Sequence, residues 1–277
     1  MDQSLPPGLY IVATPIGNLG DITARAAETL RNADYVLAED KRVTAKLLAH
    51  IGAKVPMTAY NDHSDDRLRE RILGELGTKA VALVSDAGTP LISDPGYKLV
   101  RAARQEGHAV HTLPGPCAAI AALTLAALPT DRFLFVGFLP PKAKARTDAI
   151  AEVSSVRATL IFYESGPRLG DTLGALQATL GDREVAVVRE VTKLHEECVN
   201  GTLAELAVRY ADVTPRGEIV IVVAPPPKPA GASSAEIDAA LDEALTRLSP
   251  SRAAAEVAEH LGIPRKQVYA LAMEKAR

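Results

Sequence analysis

A chain of 277 residues is long enough for two domains and too short for three large ones. Hydrophobic residues make up 47% and charged residues 23%, which is ordinary for a folded soluble protein. The net charge of −3 argues against a surface that binds nucleic acid over its whole extent, so any such contact must come from local basic clusters.

The sequence carries no sign of secretion, a membrane span or a metal site. Its two cysteines do not form a CxxC pair, and its histidines lack the spacing of metal ligands. The N-terminal segment MDQSLPPGLY has neither the basic start nor the apolar run of a signal peptide, and no run of about 18 apolar residues occurs. We therefore expect a cytoplasmic protein without a bound metal or a membrane contact.

Short β-branched runs alternate with Ala- and Leu-rich helical stretches as far as residue 226, which predicts an α/β fold. The predicted strands span residues 8–14, 34–37, 79–85, 108–113, 133–137, 159–163, 184–188 and 217–224, with helices in most of the gaps. The segment PPPKPAGASS that follows combines Pro, Gly and Ser without periodicity and predicts a linker. We expect an N-terminal α/β domain (1–116), a C-terminal α/β domain (117–226) and a linker with a helical tail (227–277).

The tail is predicted to form three short helices. Leu241, Leu245 and Leu248 have helical spacing, Ser251 can cap the second helix, and a Gly-Ile-Pro turn at Gly262 precedes the last helix. The last two helices have the outline of a helix-turn-helix. A helical cap that docks on the body or on a second subunit explains the same pattern equally well.

Five loops at predicted strand ends concentrate Gly, Pro, Asp and Thr, and ligands of open α/β sheets bind where strands end and loops diverge. The first, ATPIGNLGDIT, has glycines for a sharp turn but neither GxxxxGK[ST] nor GxGxxG, which argues against a nucleotide phosphate site. The second, LAEDKR, is a charge cluster that taken alone is most often a solvated turn.

The remaining loops favour a polar ligand. In VSDAGTPLISDPG, two glycines and two prolines fix an irregular backbone whose N–H and C=O groups can hold such a ligand. LPGPCAAIAAL leads into a helix of small residues, against which either a ligand or a second helix can pack. FYESGPR, VREVTK and PRGEIVIV each place a carboxylate, namely Glu164, Glu190 or Glu218, at a strand end or start.

In order and spacing, the segments YIVATPIGNLGDIT, VLAEDKRVTAKLL, VSDAGTPLISDPGYKLVRAARQEGHAVHTLPGPCAAIAAL, RFLFVGFLP, FYES, REVTK and RGEIVIVV resemble the ribosomal RNA small-subunit methyltransferase I family. The resemblance covers about residues 8–224 and the tail. It implies the two-domain tetrapyrrole-methylase fold, with S-adenosylmethionine in the cleft between the domains, and a homodimer. The implied reaction is 2′-O-methylation of a cytidine in the decoding region of 16S rRNA, within the small ribosomal subunit.

Carried over position by position, the resemblance implies a cofactor pocket built from both domains. Its implied lining is Pro15, Gly17, Asp86, Gly88, Thr89, Cys117 and Ala118 from the first four loops, with Tyr163, Thr192, Gly217 and Glu218 from the second domain. The chain departs from the family pattern at Lys41, where AEDTR is usual, and after FYES, where Arg168 alone matches the usual His-Arg pair.

A ribose 2′-hydroxyl is a poor acid, so methyl transfer to it would be helped by a general base. The candidates are Asp40, Glu39 and Glu190, with Lys193 as a cationic neighbour that could orient the hydroxyl or pair with phosphate. The choice among them stays open. The methyl group of the cofactor is already activated, and no metal is needed.

Local basic residues are expected to hold the RNA phosphates. They are Lys41, Arg42, Lys142, Lys144, Arg146 and Arg168, although such clusters are also common on solvated faces. The main alternative function is C-methylation of a small tetrapyrrole, either precorrin or uroporphyrinogen, which leaves the basic clusters and the tail unexplained. A non-catalytic ribosome-binding protein with the same fold is a second alternative, and it predicts no cofactor binding.

Overall fold

The computed structural model describes residues 4–61, 65–227, 234–261 and 263–275. The chain divides into two compact units, residues 1–225 and 226–277. The first unit contains two five-stranded sheets, and the second is helical. Residues 228–233 of the predicted linker and Gly262 of the predicted turn lie outside the described residues.

The first sheet is entirely parallel, with strand order β3-β2-β4-β1-β5. Its strands are β1 (Gly8–Val12), β2 (Tyr35–Ala38), β3 (Met57–Ala59), β4 (Ala80–Val84) and β5 (Val110–Leu113). The helices between and after them are α1 (Ala24–Asn32), α2 (Lys41–His50), α3 (Asp66–Glu75) and α4 (Tyr97–Gln105). Because the strands are parallel, the loops that follow β1, β2, β4 and β5 emerge at one edge of the sheet.

Helices cover both faces of this sheet. Leu30 of α1 and Leu47 of α2 belong to the core on one face, and Ile72 of α3 and Leu99 of α4 belong to the core on the other. Every residue of β4 is buried. Burial on both faces explains why this strand reads as a continuous apolar run rather than an alternating one.

The second sheet is mixed, with strand order β6-β7-β10-β8-β9. Its strands are β6 (Phe133–Phe138), β7 (Thr159–Ser165), β8 (Glu184–Arg189), β9 (Glu197–Thr202) and β10 (Glu218–Val223). Only β6 and β7 pair in parallel. The associated helices are α5 (Ala118–Leu125), α6 (Ala143–Glu152), α7 (Leu169–Leu180) and α8 (Leu203–Arg209), with α5 packed on one face and α6, α7 and α8 on the other.

The α/β fold with a helical tail is confirmed, and each of the eight predicted strands has a counterpart. Two strands were missed. Strand β3 is only three residues long and follows Pro56, and β9 contains an Asn-Gly pair that reads as a turn. Pairing with β2 and β8 forms these strands, and local sequence preference does not reveal such long-range pairing.

The second unit is formed by α9 (Ser234–Leu245), α10 (Pro250–Leu261) and α11 (Arg265–Lys275). They enclose a small core that includes Leu241, Val257 and Val268. The prediction that Ser251 caps α10 is wrong, because the helix already begins at Pro250, and proline is favoured at the first helical position. The Ser251 hydroxyl instead accepts a hydrogen bond of 3.1 Å from Arg265. Within the described residues, no helix is both long and apolar enough to cross a membrane.

Candidate active site

A cavity of about 390 Å³ lies at the carboxyl edge of the first sheet and is lined on its other side mainly by residues of strands β6, β7 and β10. This volume falls within the range of small-molecule sites, roughly 300–1,000 Å³. Its lining residues are Ile16, Glu39, Asp86, Ala87, Gly88, Thr89, Ile92, Ser93, Asp94, Cys117, Ala118, Phe138, Tyr163, Glu164, Ser165, Val191, Gly217, Glu218, Ile219 and Val220.

The lining is strongly acidic. Five carboxyl side chains contribute to it, namely those of Glu39, Asp86, Asp94, Glu164 and Glu218. None of the described residues that line the cavity is a lysine, arginine or histidine. The cavity therefore favours a cationic ligand and disfavours a phosphate group.

Hydrogen bonds fix the loops that form the first side of the cavity. Thr14 and Gly88 form an isolated β-bridge, which joins the loop after β1 to the loop after β4. Thr89 Oγ1 donates to the carbonyl oxygen of Pro116 at 3.0 Å, and Asp86 Oδ1 accepts from the backbone N–H of Asp40 at 2.9 Å. The four loops are thus held relative to one another before any ligand binds.

The loop after β4 has an unusual backbone. Gly88 has φ = +84°, and a Cβ atom there would lie 3.2 Å from Ile16 Cγ2. Leu91 and Ser93 also have positive φ, at 75° and 63°, although neither is glycine. Non-glycine residues in this region cost roughly 1–3 kcal/mol each and concentrate at functional sites.

Strand β7 supplies a tyrosine and a glutamate to the other side. Tyr163 Oη accepts a hydrogen bond of 3.1 Å from the backbone N–H of Ala119, and burial raises the pKa of Tyr163, so its hydroxyl keeps its proton. The buried Glu164 carboxylate accepts from Ser165 N at 2.8 Å and from Thr172 Oγ1 at 2.7 Å. Hydrogen bonds from within the protein therefore satisfy both oxygens of the Glu164 carboxylate.

Two carboxyl groups in the cavity ionise less readily than usual. Burial, together with the charges of Glu39, Asp86 and Glu218, raises the pKa of Asp94 to about 6. Burial and the neighbouring Asp86 likewise raise the pKa of Glu39. Asp94 is not among the predicted site residues, although it lies in the same Gly- and Pro-rich loop as Asp86.

Of the four predicted catalytic residues, only Glu39 lines the cavity. The Asp40 carboxylate caps α2 by accepting from Arg42 N at 2.8 Å and pairs with the Arg42 guanidinium at 2.6 Å. The hydrogen bonds from Arg42 lower the pKa of Asp40 to about 2. A carboxylate with so low a pKa is a weak proton acceptor.

The other two predicted catalytic residues form an ion cluster beside the cavity. Lys193 Nζ lies 3.0 Å from Glu190 Oε1 and 3.2 Å from Glu218 Oε2. Burial alone would lower the pKa of Lys193, but these two carboxylates raise it, and the hydrogen bond from Lys193 lowers the pKa of Glu190. The lysine is therefore charged, and only Glu218 of the three lines the cavity.

Eight of the eleven predicted cofactor residues line the cavity, and Pro15, Gly17 and Thr192 do not. Pro15 is buried, and Gly17 lies under the aliphatic stem of Lys193. Thr192 lines a neighbouring groove and donates to Asp21 Oδ2 at 2.5 Å. These residues connect the loop after β1 to the loop after β8 beside the cavity.

The predicted RNA-binding residues fall into two groups. Lys41, Arg42, Lys142 and Lys144 are exposed, although Arg42 pairs with Asp40 and Lys144 pairs with Asp148 at 3.1 Å. Two assignments need correction, because their cations point into the protein.

Arg146 is 7% exposed and faces Asp171 at 3.7 Å, so its guanidinium is poorly placed to meet a phosphate. Arg168 donates to the carbonyl oxygen of Leu139 at 2.6 Å and lies 3.4 Å from the buried Glu164. Both arginines therefore make their contacts with the part of the chain that forms the second sheet and its helices. Among the described residues, no group of three or more His, Cys, Asp or Glu is arranged to hold a metal ion.

Two family models match the chain. The model for tetrapyrrole (corrin/porphyrin) methylases matches residues 8–207, and the model for the RsmI C-terminal HTH domain matches residues 231–276. The first match spans the first sheet and the second sheet as far as α8, before β10, and the second match spans the helical unit.

Curated relatives align over almost the whole chain and bear the name ribosomal RNA small subunit methyltransferase I. The protein of Erythrobacter litoralis is 55% identical, with 98% of this chain and 96% of the relative aligned. The Mesorhizobium japonicum protein is 46% identical, with 98% of this chain and 93% of the relative aligned. The Escherichia coli O157:H7 protein is 44% identical, with 96% of this chain and 95% of the relative aligned.

Solved structures share the fold at low sequence identity. A cobalt precorrin-4 methyltransferase superposes with a TM-score of 0.57 at 19% identity, covering 78% of this chain and 94% of that protein. A diphthine synthase superposes with a TM-score of 0.62 at 17% identity, covering 78% of this chain and 89% of that protein. At such identities the likeness shows the fold alone.

Proposed function

The chain belongs to the ribosomal RNA small subunit methyltransferase I family, within the tetrapyrrole methylases, and from this membership we propose that it 2′-O-methylates a cytidine of 16S rRNA. The donor is S-adenosylmethionine. The observation that carries the proposal is the alignment with the Erythrobacter litoralis protein, which extends over 98% of the chain. Tetrapyrrole C-methylation has only the fold-level likeness in its favour, so we do not retain it.

The acidic cavity fits this donor. When bound, S-adenosylmethionine supplies a methyl group on a positively charged sulfonium centre, and it carries a second positive charge on its ammonium group. The cavity offers the carboxylates of Asp86, Asp94 and Glu218, and no lysine, arginine or histidine stands among the described lining residues. We propose that these three carboxylates attract the positively charged donor. The backbone of Gly88 and Ala118 lets the donor approach closely.

We propose Glu39 as the acceptor of the 2′-hydroxyl proton. It lines the cavity, and its raised pKa makes it a better base than Asp40, whose pKa is about 2. Lys193 keeps its positive charge between Glu190 and Glu218, so its role is to hold the loop beside the cavity.

The RNA phosphates stay outside the cavity, because its carboxylates repel them. Exposed lysines on both halves of the first unit are the proposed phosphate contacts: Lys41, Lys142 and Lys144. Phosphate contacts position a strand without reading its sequence, so these residues would set the register of the RNA.

Three finer statements belong to the same proposal: the substrate is the small ribosomal subunit, the enzyme is a homodimer, and it acts in the cytoplasm. The dimer rests on the family resemblance. The two free cysteines, Cys117 and Cys198, support a reducing compartment. Light scattering of the purified protein would measure the oligomeric state.

Methyl transfer to RNA tests the proposed function directly. Purified enzyme and radiolabelled S-adenosylmethionine are incubated with small ribosomal subunits that lack their native modifications, and the product is mapped by nuclease digestion. We expect label on one cytidine 2′-oxygen. Label on uroporphyrinogen or a precorrin with none on RNA would overturn the proposal.

A further inference from the structure

Strand β6 ends in an aromatic side chain that no part of the proposed mechanism uses. Phe138 is 59% exposed and lines the cavity. Burying an aromatic ring is strongly favourable, so a ring left exposed at the rim of a cavity needs an explanation.

A β-bulge turns Phe138 towards the cavity. The register between β6 and β7 shifts between Phe135 and Gly137, and Gly137 has φ = +78°. Before the bulge, Phe135 packs towards the core of α5, and Val136, the extra residue of the bulge, packs towards the core of α6 and α7. In a regular strand, Phe138 would lie on the same face of the sheet as Val136. Because the bulge adds one residue, Phe138 instead pairs with Tyr163 and lies on the same face as Phe135.

Neighbouring groups hold the ring at this place. Its centroid lies 5.5 Å from that of Tyr163 in an edge-to-face arrangement. Arg168 donates to the carbonyl oxygens of Leu139 and Pro140, at 2.6 and 3.4 Å, and so fixes the chain directly after the ring. A Cβ atom on Gly137 would lie 3.2 Å from Ser93 Oγ, which shows that the bulge meets the loop after β4 at the cavity.

We infer that Phe138 is the platform on which the target nucleobase of the RNA stacks when its ribose enters the cavity. The inference rests on the proposed function and adds the residue that holds the base. A nucleotide must enter with its phosphates outside, because the cavity is lined by carboxylates. The exposed Lys142 follows Phe138 by four residues and is available for those phosphates, whereas Lys144, two residues further on, is exposed but pairs with Asp148. Stacking on aromatic side chains is a common means of holding an unstacked RNA base.

Substitutions at Phe138 test the inference in the full-length enzyme. Phe138→Leu keeps an apolar contact with Tyr163 but has no aromatic face, whereas Phe138→Tyr keeps the face. Phe133→Ala is the matched control, because Phe133 is 46% exposed on the same strand and does not line the cavity. The readouts are kcat/KM on small ribosomal subunits, the Kd of S-adenosylmethionine by calorimetry, and the Tm.

For Phe138→Leu we expect kcat/KM to fall about 5- to 150-fold, the range for loss of one stacked base, with the cofactor Kd and the Tm little changed. Phe138→Tyr and Phe133→Ala are expected to behave like the wild type. An unchanged kcat/KM in Phe138→Leu would overturn the inference, and so would an equal loss of cofactor affinity, which would place the ring against the cofactor. Wild-type enzyme that leaves RNA unlabelled would overturn the proposed function itself, a result distinct from both.

Discussion

Asp94 shows how the cavity tunes a single residue. Its carboxyl group is partly buried near Glu39, Asp86 and Glu218, and its pKa rises to about 6. In the absence of a ligand, each added negative charge in this cluster raises the cost of ionising the next. A bound cation reverses this effect, because it stabilises the ionised carboxylates.

We expect Asp94→Asn to weaken S-adenosylmethionine binding about 10- to 150-fold, the equivalent of a lost hydrogen bond to a charged group. Because Asp94 has a pKa of about 6, wild-type affinity should fall as the pH drops through 6. The variant should lose much of this pH dependence. Calorimetry between pH 5 and 8 measures both effects, and the exposed Asp131→Asn outside the cavity is the control.

The same substitution should not destabilise the free protein. An unfolded aspartate ionises near pH 3.9, so between about pH 4 and 6 the folded chain keeps a proton that the unfolded chain has released. The free energy of unfolding therefore falls as the pH rises through this window, and the cost of ionisation is fully present above pH 6. At pH 8 the free energy of unfolding of the variant should equal that of the wild type or exceed it by the order of 1 kcal/mol, after allowance for solvent screening, so its Tm should be equal or higher. A lower Tm would show that the carboxylate stabilises the fold.

Glu39→Gln should lower kcat by roughly 10²- to 10⁴-fold at saturating cofactor, because the amide cannot accept the hydroxyl proton. Asp40→Asn is the comparison, since asparagine still caps α2 and the Asp40 carboxylate already pairs with Arg42. Single-turnover methylation of small subunits gives both rates. A larger loss in Asp40→Asn than in Glu39→Gln would assign the base to Asp40.

At the scale of elements, the loop between β8 and β9 joins the two sides of the cavity. Glu190 and Thr192 both have positive φ, at 51° and 65°, and neither is glycine. The hydrogen bond from Thr192 to Asp21 joins residues 171 positions apart in the chain. Val191, which lies between Glu190 and Thr192, lines the cavity. This backbone is held by contacts that only the folded chain provides.

We expect Thr192→Val to lower the free energy of unfolding by about 1 kcal/mol, because it removes one hydrogen bond without changing the shape of the side chain. It should also raise the Kd of S-adenosylmethionine several-fold, since the loop beside the cavity loses its tie to the loop after β1. Thr124→Val is the matched control, because Thr124 bonds only to Ala121 O within α5. A loss of stability with an unchanged Kd would limit the bond to a structural role.

At the scale of the whole molecule, each of the two units has its own hydrophobic core, and the acidic cavity belongs to the first unit alone. Every residue that lines the cavity belongs to residues 1–225. Residues 234–275 contain seven acidic and five basic side chains, so general charge does not draw this unit to RNA. Lys266 at the start of α11 is exposed, whereas Lys275 is paired with Asp238 and Asp242.

A chain that ends at Pro225 should bind S-adenosylmethionine as well as the full-length protein does, and should methylate small ribosomal subunits with a raised KM. In the full-length chain, Lys266→Glu should raise KM in the same direction and reduce the slope of log KM against log salt by about one. Lys275→Glu is the control for a cation that already has partners. Equal KM values in the truncated and full-length proteins would favour a helical cap without RNA contacts.

The sequence by itself determined the α/β class, eight of the ten strands and the helical tail, and together with the family resemblance it supplied nine of the twenty residues that line the cavity. Asp86, Gly88 and Thr89 could be placed because they follow a buried apolar run directly, and the carboxyl ends of parallel strands meet at one edge. Cys117 and Tyr163 could be assigned only through the family resemblance. Their local patterns fit ordinary packing equally well.

Only the tertiary structure decided which charged groups share one environment. Asp94 and Glu218 are 124 positions apart, yet both line the cavity, and the charge of Glu218 contributes to the raised pKa of Asp94. Arg146 reads as part of an exposed basic run, but the packing of α6 against α7 buries it. Phe138 reads as the next residue of an alternating strand, but one bulge moves it to the other face. Each of these outcomes depends on contacts between distant segments, and a local pattern of residue types contains no record of such contacts.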